Sequence, residues 1–151
     1  MSNIFNCYYV DDVVLVNLNN IPNDPAIIAD IYESVSGINL DMISHSKPYR
    51  ENLSIFFTVD SIDLPNVLKV AGGLKKIIPE LRTEVSSGNC KYVLYSESLK
   101  TTSGVAAKLF RLLAENNIEI KLIVTSDVEI ELLLDNSELN KIDKLLKKEF
   151  I

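Results

Sequence analysis

Apolar positions along this chain recur at two different spacings. Asp12-Val13-Val14-Leu15-Val16-Asn17 is a compact run of strand length, and Leu53, Ile55, Phe57 and Val59 fall at every second position. The second pattern is that of a strand with one buried face. Between them, Ile27, Ile28, Ile31, Tyr32 and Val35 fall on one face at helical spacing. Asp24 stands before that helix as a cap for its free N–H groups, and Gly37 is placed to end it in the left-handed conformation. A second helix is expected from near Ser61 and Asp63, with Pro65 in its first turn and Val67, Leu68 and Ala71 on its apolar face. The pair Gly72-Gly73 predicts a break, Pro79 a stop, and a strand follows from about Glu80 to Val85.

The remainder of the chain reads alike. Cys90-Lys91-Tyr92-Val93-Leu94-Tyr95 suits a strand, and Thr101, Thr102 and Ser103 offer caps for a helix carrying Val105, Ala106, Leu109, Phe110 and Leu113. Asn116-Asn117 ends that helix. Ile118, Ile120, Leu122 and Val124 alternate strictly, as do Val128, Ile130, Leu132 and Leu134. Glu129 and Glu131 are thereby expected on a solvent-facing side. Leu139, Ile142, Leu145, Leu146 and Phe150 mark a last helix, with Lys144, Lys147 and Lys148 crowding its C-terminal end, where cations suit the helix dipole.

Four blocks therefore occur twice, in the same order. Asp12–Asn17 matches Cys90–Tyr95, Pro25–Ala29 matches Ser103–Ala107, Ile38–Ile43 matches Ile118–Ile123, and Val59–Leu64 matches Leu134–Leu139. Such self-similarity implies two copies of one supersecondary unit. The expected fold is α+β, with two ferredoxin-like βαββαβ repeats, each an antiparallel sheet with helices on one face. Residues 1–88 form the first repeat and 89–151 the second. The second repeat reaches the end of the sequence one strand short. The apolar, unassigned segment Ile4 to Tyr9, within residues 1–10, is long enough to supply it.

Composition narrows the function. The 151 residues are 47% hydrophobic and 24% charged, with a net charge of −6. That charge argues against a nucleic-acid partner. No apolar run reaches the ~18 residues of a membrane span. The start, Met1-Ser2-Asn3-Ile4-Phe5, lacks a basic leader pattern, so a cytoplasmic protein with Cys7 and Cys90 reduced is expected. One histidine and two distant cysteines make no metal pattern, and no pair of carboxylates is placed for acid–base work. No cofactor is expected, and no enzyme activity. Two abutting repeats would leave a crevice where helix N-termini offer N–H groups to an anion. A zwitterion suits such a place, with Asp24, Asp41 or Asp127 meeting its ammonium.

These residues also carry a family resemblance. Thr102-Ser103-Gly104-Val105-Ala106-Ala107-Lys108-Leu109-Phe110, then Ile118 to Ile123, then Thr125-Ser126-Asp127-Val128-Glu129-Ile130 resemble the tandem ACT domains at the C-terminus of aspartokinases. Asn23-Asp24-Pro25-Ala26-Ile27 and Leu40-Asp41-Met42-Ile43 are similar to that family's first-repeat loop and strand. The resemblance implies a regulatory module, without a kinase domain, that binds a lysine- or threonine-like amino acid between ACT domains, commonly in a homodimer. It maps ligand contacts onto Asp24, Pro25, Ala26, Ile27 and Ile28, onto Asp41, Met42 and His45, and onto Glu119, Ile120, Ser126 and Asp127. Ala26, His45, Glu119, Thr102-Ser103 and Asp127 replace residues usual in the family. An interaction module that has lost its ligand is therefore the alternative.

Overall fold

The structure is a computed structural model that describes residues 5–151. Two compact units divide the chain. Asp12–Ser87 forms one, and the residues up to Asp11 together with Gly88–Ile151 form the other.

In the first unit, β1 (Asn6–Pro22) leads through α1 (Pro25–Ser34) to β2 (Asp41–His45), then β3 (Asn52–Asp60), α2 (Leu64–Leu74) and the start of β4 (Arg82–Tyr95). The strand order is β2-β3-β1-β4, and β3 runs antiparallel to both β1 and β2. Opposed pairs such as Val14 with Val59, Val16 with Phe57 and Leu18 with Ile55 place aliphatic and aromatic side chains across the β1–β3 seam. With Ile31 from α1 and Val67 and Leu74 from α2, they form one buried cluster. The alternation of the sequence makes this face, because successive strand residues point to opposite sides.

The second unit continues β4 through α3 (Val105–Glu115), β5 (Leu122–Thr125), β6 (Glu129–Asp135) and α4 (Leu139–Phe150). Its order is β1-β4-β6-β5, with β6 antiparallel to both β4 and β5. Cys90, Tyr92 and Leu94 join Ile130, Leu132 and Leu134 against Leu109, Leu113, Ile142 and Leu146. Phe5 closes the cluster, 2% exposed, with its ring edge to face against Phe150. Both units thus show the ferredoxin-like order, in which the outer strand lies beside the first of the three others. The outer strand of the second unit is the opening segment of β1.

The same local device recurs in the two units. β3 ends at Asp60, whose carboxylate accepts the Ile62 N–H at 3.0 Å, and β6 ends at Asp135, which accepts the Ser137 N–H at 2.9 Å. Each caps a 3-10 turn that feeds the following helix.

Several local expectations are corrected. Ile4 of the expected segment lies outside the described residues; the rest of that run and the run at 12–17 belong to one strand, β1, and the runs near 80–85 and 90–95 to one strand, β4. In each, a left-handed residue (Asp12, φ 54°; Gly88, φ 75°) stands where the chain leaves one unit for the other, so strand length alone did not mark the boundary. Gly72-Gly73 does not break α2, which runs on to Leu74, because Val67, Ala71 and Leu74 on its buried face hold it. Gly37 is not left-handed, and α1 ends at Ser34 with Val35 as its cap. The cap of α3 is Gly104 at φ 82°, with no side-chain bond, rather than Thr101, Thr102 or Ser103. Ile118 and Ile120 precede β5, which begins at Leu122. Glu131 is not solvent-facing. Its side chain is 15% exposed and lies 3.7 Å from Lys91, itself 11% exposed.

Candidate functional site

The first helix turn is built by Asp24 and Pro25. Asp24 adopts an extended backbone (φ −130°, ψ 117°) and its Oδ1 accepts the Ala26 N–H at 2.9 Å. Pro25 brings no N–H and a φ suited to a helix start. Ile28 N–H donates to the Asp24 carbonyl at 3.0 Å, the first bond of the helix. Ile27 N–H therefore remains a first-turn donor with no carbonyl one turn back inside the helix. Asp24, Pro25 and Ala26 are exposed, and Ile27 and Ile28 are half-buried against the core.

β2 is irregular. Its register against β3 shifts between Asp41 and Ser44, and Met42 within the shift has φ 48°. A bulge of this kind turns a side chain away from strict alternation. Here it buries Met42 to 3% exposure while Asp41, Ile43 and His45 remain exposed. The left-handed backbone at a methionine is uncommon and costly, so the surrounding packing must hold it. At the far end of β2, His45 Nε2 and the Tyr32 hydroxyl are 2.6 Å apart, and the two rings stack with centroids 5.8 Å apart at 17°. Burial raises the Tyr32 hydroxyl above its ordinary pKa. This contact fastens α1 to β2. Sequence reasoning missed the pairing, although a tyrosine on the apolar face of a helix is a signal that its hydroxyl needs a partner.

The other four candidates lie in the second unit. Glu119 is exposed and Ile120 half-buried, in the segment leading into β5. Ser126 closes the β5–β6 turn. Its Oγ accepts the N–H groups of Val128 and Glu129 at 3.3 and 3.1 Å, and its own N–H donates to the Glu129 carbonyl at 2.9 Å. Asp127 is exposed at the tip of that turn. The structure therefore brings Asp24–Ile28 together on one helix turn and Asp41, Met42 and His45 together on β2, within one unit. Glu119, Ile120, Ser126 and Asp127 flank β5 within the other.

Two open grooves belong to the first unit, and neither is lined by a candidate residue. One, of about 760 Å³, runs beside α2 and the start of β4, touching Leu68, Gly72, Lys75, Leu81, Arg82 and Val85. The other, of about 470 Å³, lies between Ser34, Gly37 and Ile38 and α2 residues Asn66, Lys69 and Val70.

Polar groups missed by sequence reasoning cluster in the second unit. The Tyr92 hydroxyl, fully buried, donates to Asp143 Oδ1 at 2.8 Å, and Lys147 Nζ donates to Asp143 Oδ2 at 2.9 Å. Burial alone would raise the Asp143 carboxyl, but the bonds from Lys147 and Tyr92 outweigh it and hold the carboxyl below the usual range. Burial also pushes the Cys7 thiol up and the Cys90 thiol to about 11, which keeps both protonated and poor nucleophiles. Among the described residues, no group of three histidine, cysteine or carboxylate side chains is placed to hold a metal ion.

The chain folds as two ferredoxin-like units, and residues 94–150 match the family model of the ACT domain. The chain as a whole is similar to aspartokinases and to the regulatory subunit of aspartate kinase. The aspartokinase of Bacillus sp. (strain MGA3) is 26% identical over 144 residues, covering 94% of this chain and 35% of that protein. The chain thus spans about a third of the length of the curated relatives it matches. The crystal structure of aspartokinase alpha and beta subunits contains a chain that superposes with a TM-score of 0.85 at 25% identity, over 95% of this chain and 96% of that one. The regulatory subunit of aspartate kinase from Thermus thermophilus, in ligand-free form, shares the fold with a TM-score of 0.82 at 23% identity, over 96% and 97% of the two chains. The resemblance is to the regulatory part of these enzymes.

Proposed function

We propose that this chain is an amino-acid-sensing regulatory module whose two units are ACT repeats, residues 1–88 and 89–151, with the start of β1 lent to the second. In the first unit the ligand meets Asp24, Pro25, Ala26, Ile27 and Ile28 together with Asp41, Met42 and His45. The corresponding contacts of the second unit are Glu119, Ile120, Ser126 and Asp127. The ligand is a free amino acid of the lysine or threonine kind. Its carboxylate is drawn to the Ile27 N–H at the positive end of α1, and its ammonium to Asp24 or Asp41. Binding favours one packing of the module over another and so reports the ligand, as a population shift, to a partner or to a second copy in a homodimer. The setting is the cytoplasm.

The observation that carries this reading is the likeness to regulatory chains of aspartokinase over nearly their full length. It is tested by thermal unfolding and calorimetry against each of the twenty amino acids at millimolar concentration. A ligand that binds only the folded state stabilises it by about 2.7 kcal/mol when present at a hundred times its Kd. A lysine- or threonine-like amino acid should raise Tm with a saturable heat of binding. Silence with all twenty would defeat the reading and leave an interaction module without a ligand.

A further inference from the structure

The larger groove of the first unit, about 760 Å³, lies beside α2 and the start of β4, and no residue of α1 or β2 lines it. That volume falls within the roughly 300–1,000 Å³ of ordinary small-ligand sites. Part of its lining is apolar and open to solvent, with Leu68 of α2 49% exposed and Val85 of β4 37% exposed. Gly72 of α2 lines it too, and a Cβ there would meet no atom within 4 Å, so a larger residue would take up groove space. A further part is fixed by β1. The register of β1 against β3 shifts between Leu18 and Ile21, and Asn20 within the shift has φ 62°. Its Nδ2 donates to the Glu80 carbonyl at 3.1 Å. The bulge thus ties the end of β1 to the turn before β4 and holds that side of the groove in place.

The charged side chains here divide into two kinds. Arg82 and Glu84 satisfy each other at 3.4 Å. Lys75 and Glu80 both line the groove, and neither side chain makes an ion pair or hydrogen bond with the other or with any other described residue. An ammonium and a carboxylate therefore stand apart on a partly apolar surface. A simple anion is drawn to Lys75 and repelled by Glu80, and a simple cation the reverse. A molecule that carries both charges and an apolar body complements all three features at once.

We propose that this groove is a second ligand site, which takes a free amino acid with an aliphatic side chain. Lys75 meets its carboxylate, Glu80 meets its ammonium, and its side chain lies against Leu68 and Val85 in the space that Gly72 leaves clear. The site is separate from the contacts on α1 and β2 and does not rest on them. Both charges are exposed and each contributes little, so binding is on the order of millimolar.

The test is a titration of the nitrogen-labelled chain with L-leucine, followed by amide chemical shifts. It is repeated with isocaproate, which is leucine without its ammonium, and with isoamylamine, which is leucine without its carboxylate. Leucine should shift the amides of Gly72, Lys75 and Thr83 saturably, and each half-ligand should bind about fivefold or more weaker. Glu80→Gln should leave leucine no better than isocaproate, and Lys75→Gln should leave it no better than isoamylamine. Gly72→Leu should abolish the shifts, with an unchanged circular dichroism spectrum showing that the variant is folded. Equal binding of leucine and its halves overturns the proposal, as does binding that neither charge variant alters. Shifts confined to α1 and β2 overturn the groove site and leave the proposed function standing. No saturable shift anywhere overturns the groove site as well.

Discussion

Phe5 and Phe150 meet edge to face, with ring centroids 5.3 Å apart and planes inclined at 77°. Lys108 Nζ lies 4.6 Å from the Phe150 ring centroid and donates to the Glu149 carbonyl at 2.8 Å, so α3 also holds the same ring. The opening strand is therefore bolted to the last helix of its unit through one aromatic contact. Phe5→Ala removes a 2% exposed ring from the core. It is expected to cost about 3–5 kcal/mol, the usual range for a buried phenylalanine. Urea denaturation followed by circular dichroism measures it. A loss under about 1 kcal/mol would mean that the strand is not part of the core.

Gly72 and Gly73 sit in the interior of α2, where glycine is about 1 kcal/mol worse than alanine. A Cβ at either position meets no atom within 4 Å. Gly72→Ala and Gly73→Ala should each stabilise the chain, by up to about 1 kcal/mol. Thermal unfolding of both single variants checks this, with Gly88→Ala as contrast. At φ 75° the added methyl of that third variant is strained, so it should lower Tm.

Asp24 caps α1 through the Ala26 N–H. Asp24→Ala should cost about 1 kcal/mol of stability. It should also weaken whichever amino acid the calorimetric screen identifies. Asp24→Asn separates the two effects, because asparagine caps as well but carries no charge for an ammonium group. Unchanged affinity in both variants would move the ligand away from α1.

Acid sensitivity follows from two carboxylates. The backbone N–H of Ser137 first, and the hydroxyl of the same residue next, hold Asp135 below its ordinary pKa. Asp143 is lowered by Lys147 and Tyr92 against the opposing effect of burial. Both contribute stability that is present above the unfolded carboxyl pKa of about 4 and lost as pH falls through the lower folded values. Stability should therefore decline below pH ~4, and Asp143→Asn should flatten part of that decline. Tyr92→Phe, which removes the buried donor to Asp143, should cost about 1–2 kcal/mol at neutral pH. Denaturation midpoints measured across acidic pH test both statements.

The strands and helices were legible because burial imposes a period. Ile27, Ile31 and Val35 could only be one face of a helix, and Ile55, Phe57 and Val59 only one face of a strand. Cap and break positions were less legible because they turn on single backbone angles. Gly37 and Gly104 look alike in sequence, yet only Gly104 is left-handed. The extent of β1 and β4 was hidden for a related reason. Asp12 and Gly88 divide each apolar run without ending the strand, and nothing in residue type separates a kinked strand from two short ones. Glu131 misled because alternation assigns a face but not what covers it, and Lys91 lies opposite. Of the candidate site, Asp24 and Pro25 were readable from helix-start chemistry. The bulge at Met42 and the grip of Tyr32 on His45 were not, since both depend on residues brought together only by packing.

Asp12–Ser87 lies wholly between the opening strand and the rest of the unit that strand completes. As the chain leaves the ribosome, the first unit has every strand it needs once Ser87 has emerged. Phe5 must wait for Phe150, which is made only after the whole of the first unit. Until then the start of β1 waits for its unit, and the slow step of folding is the recapture of that strand across a loop that holds the whole first unit.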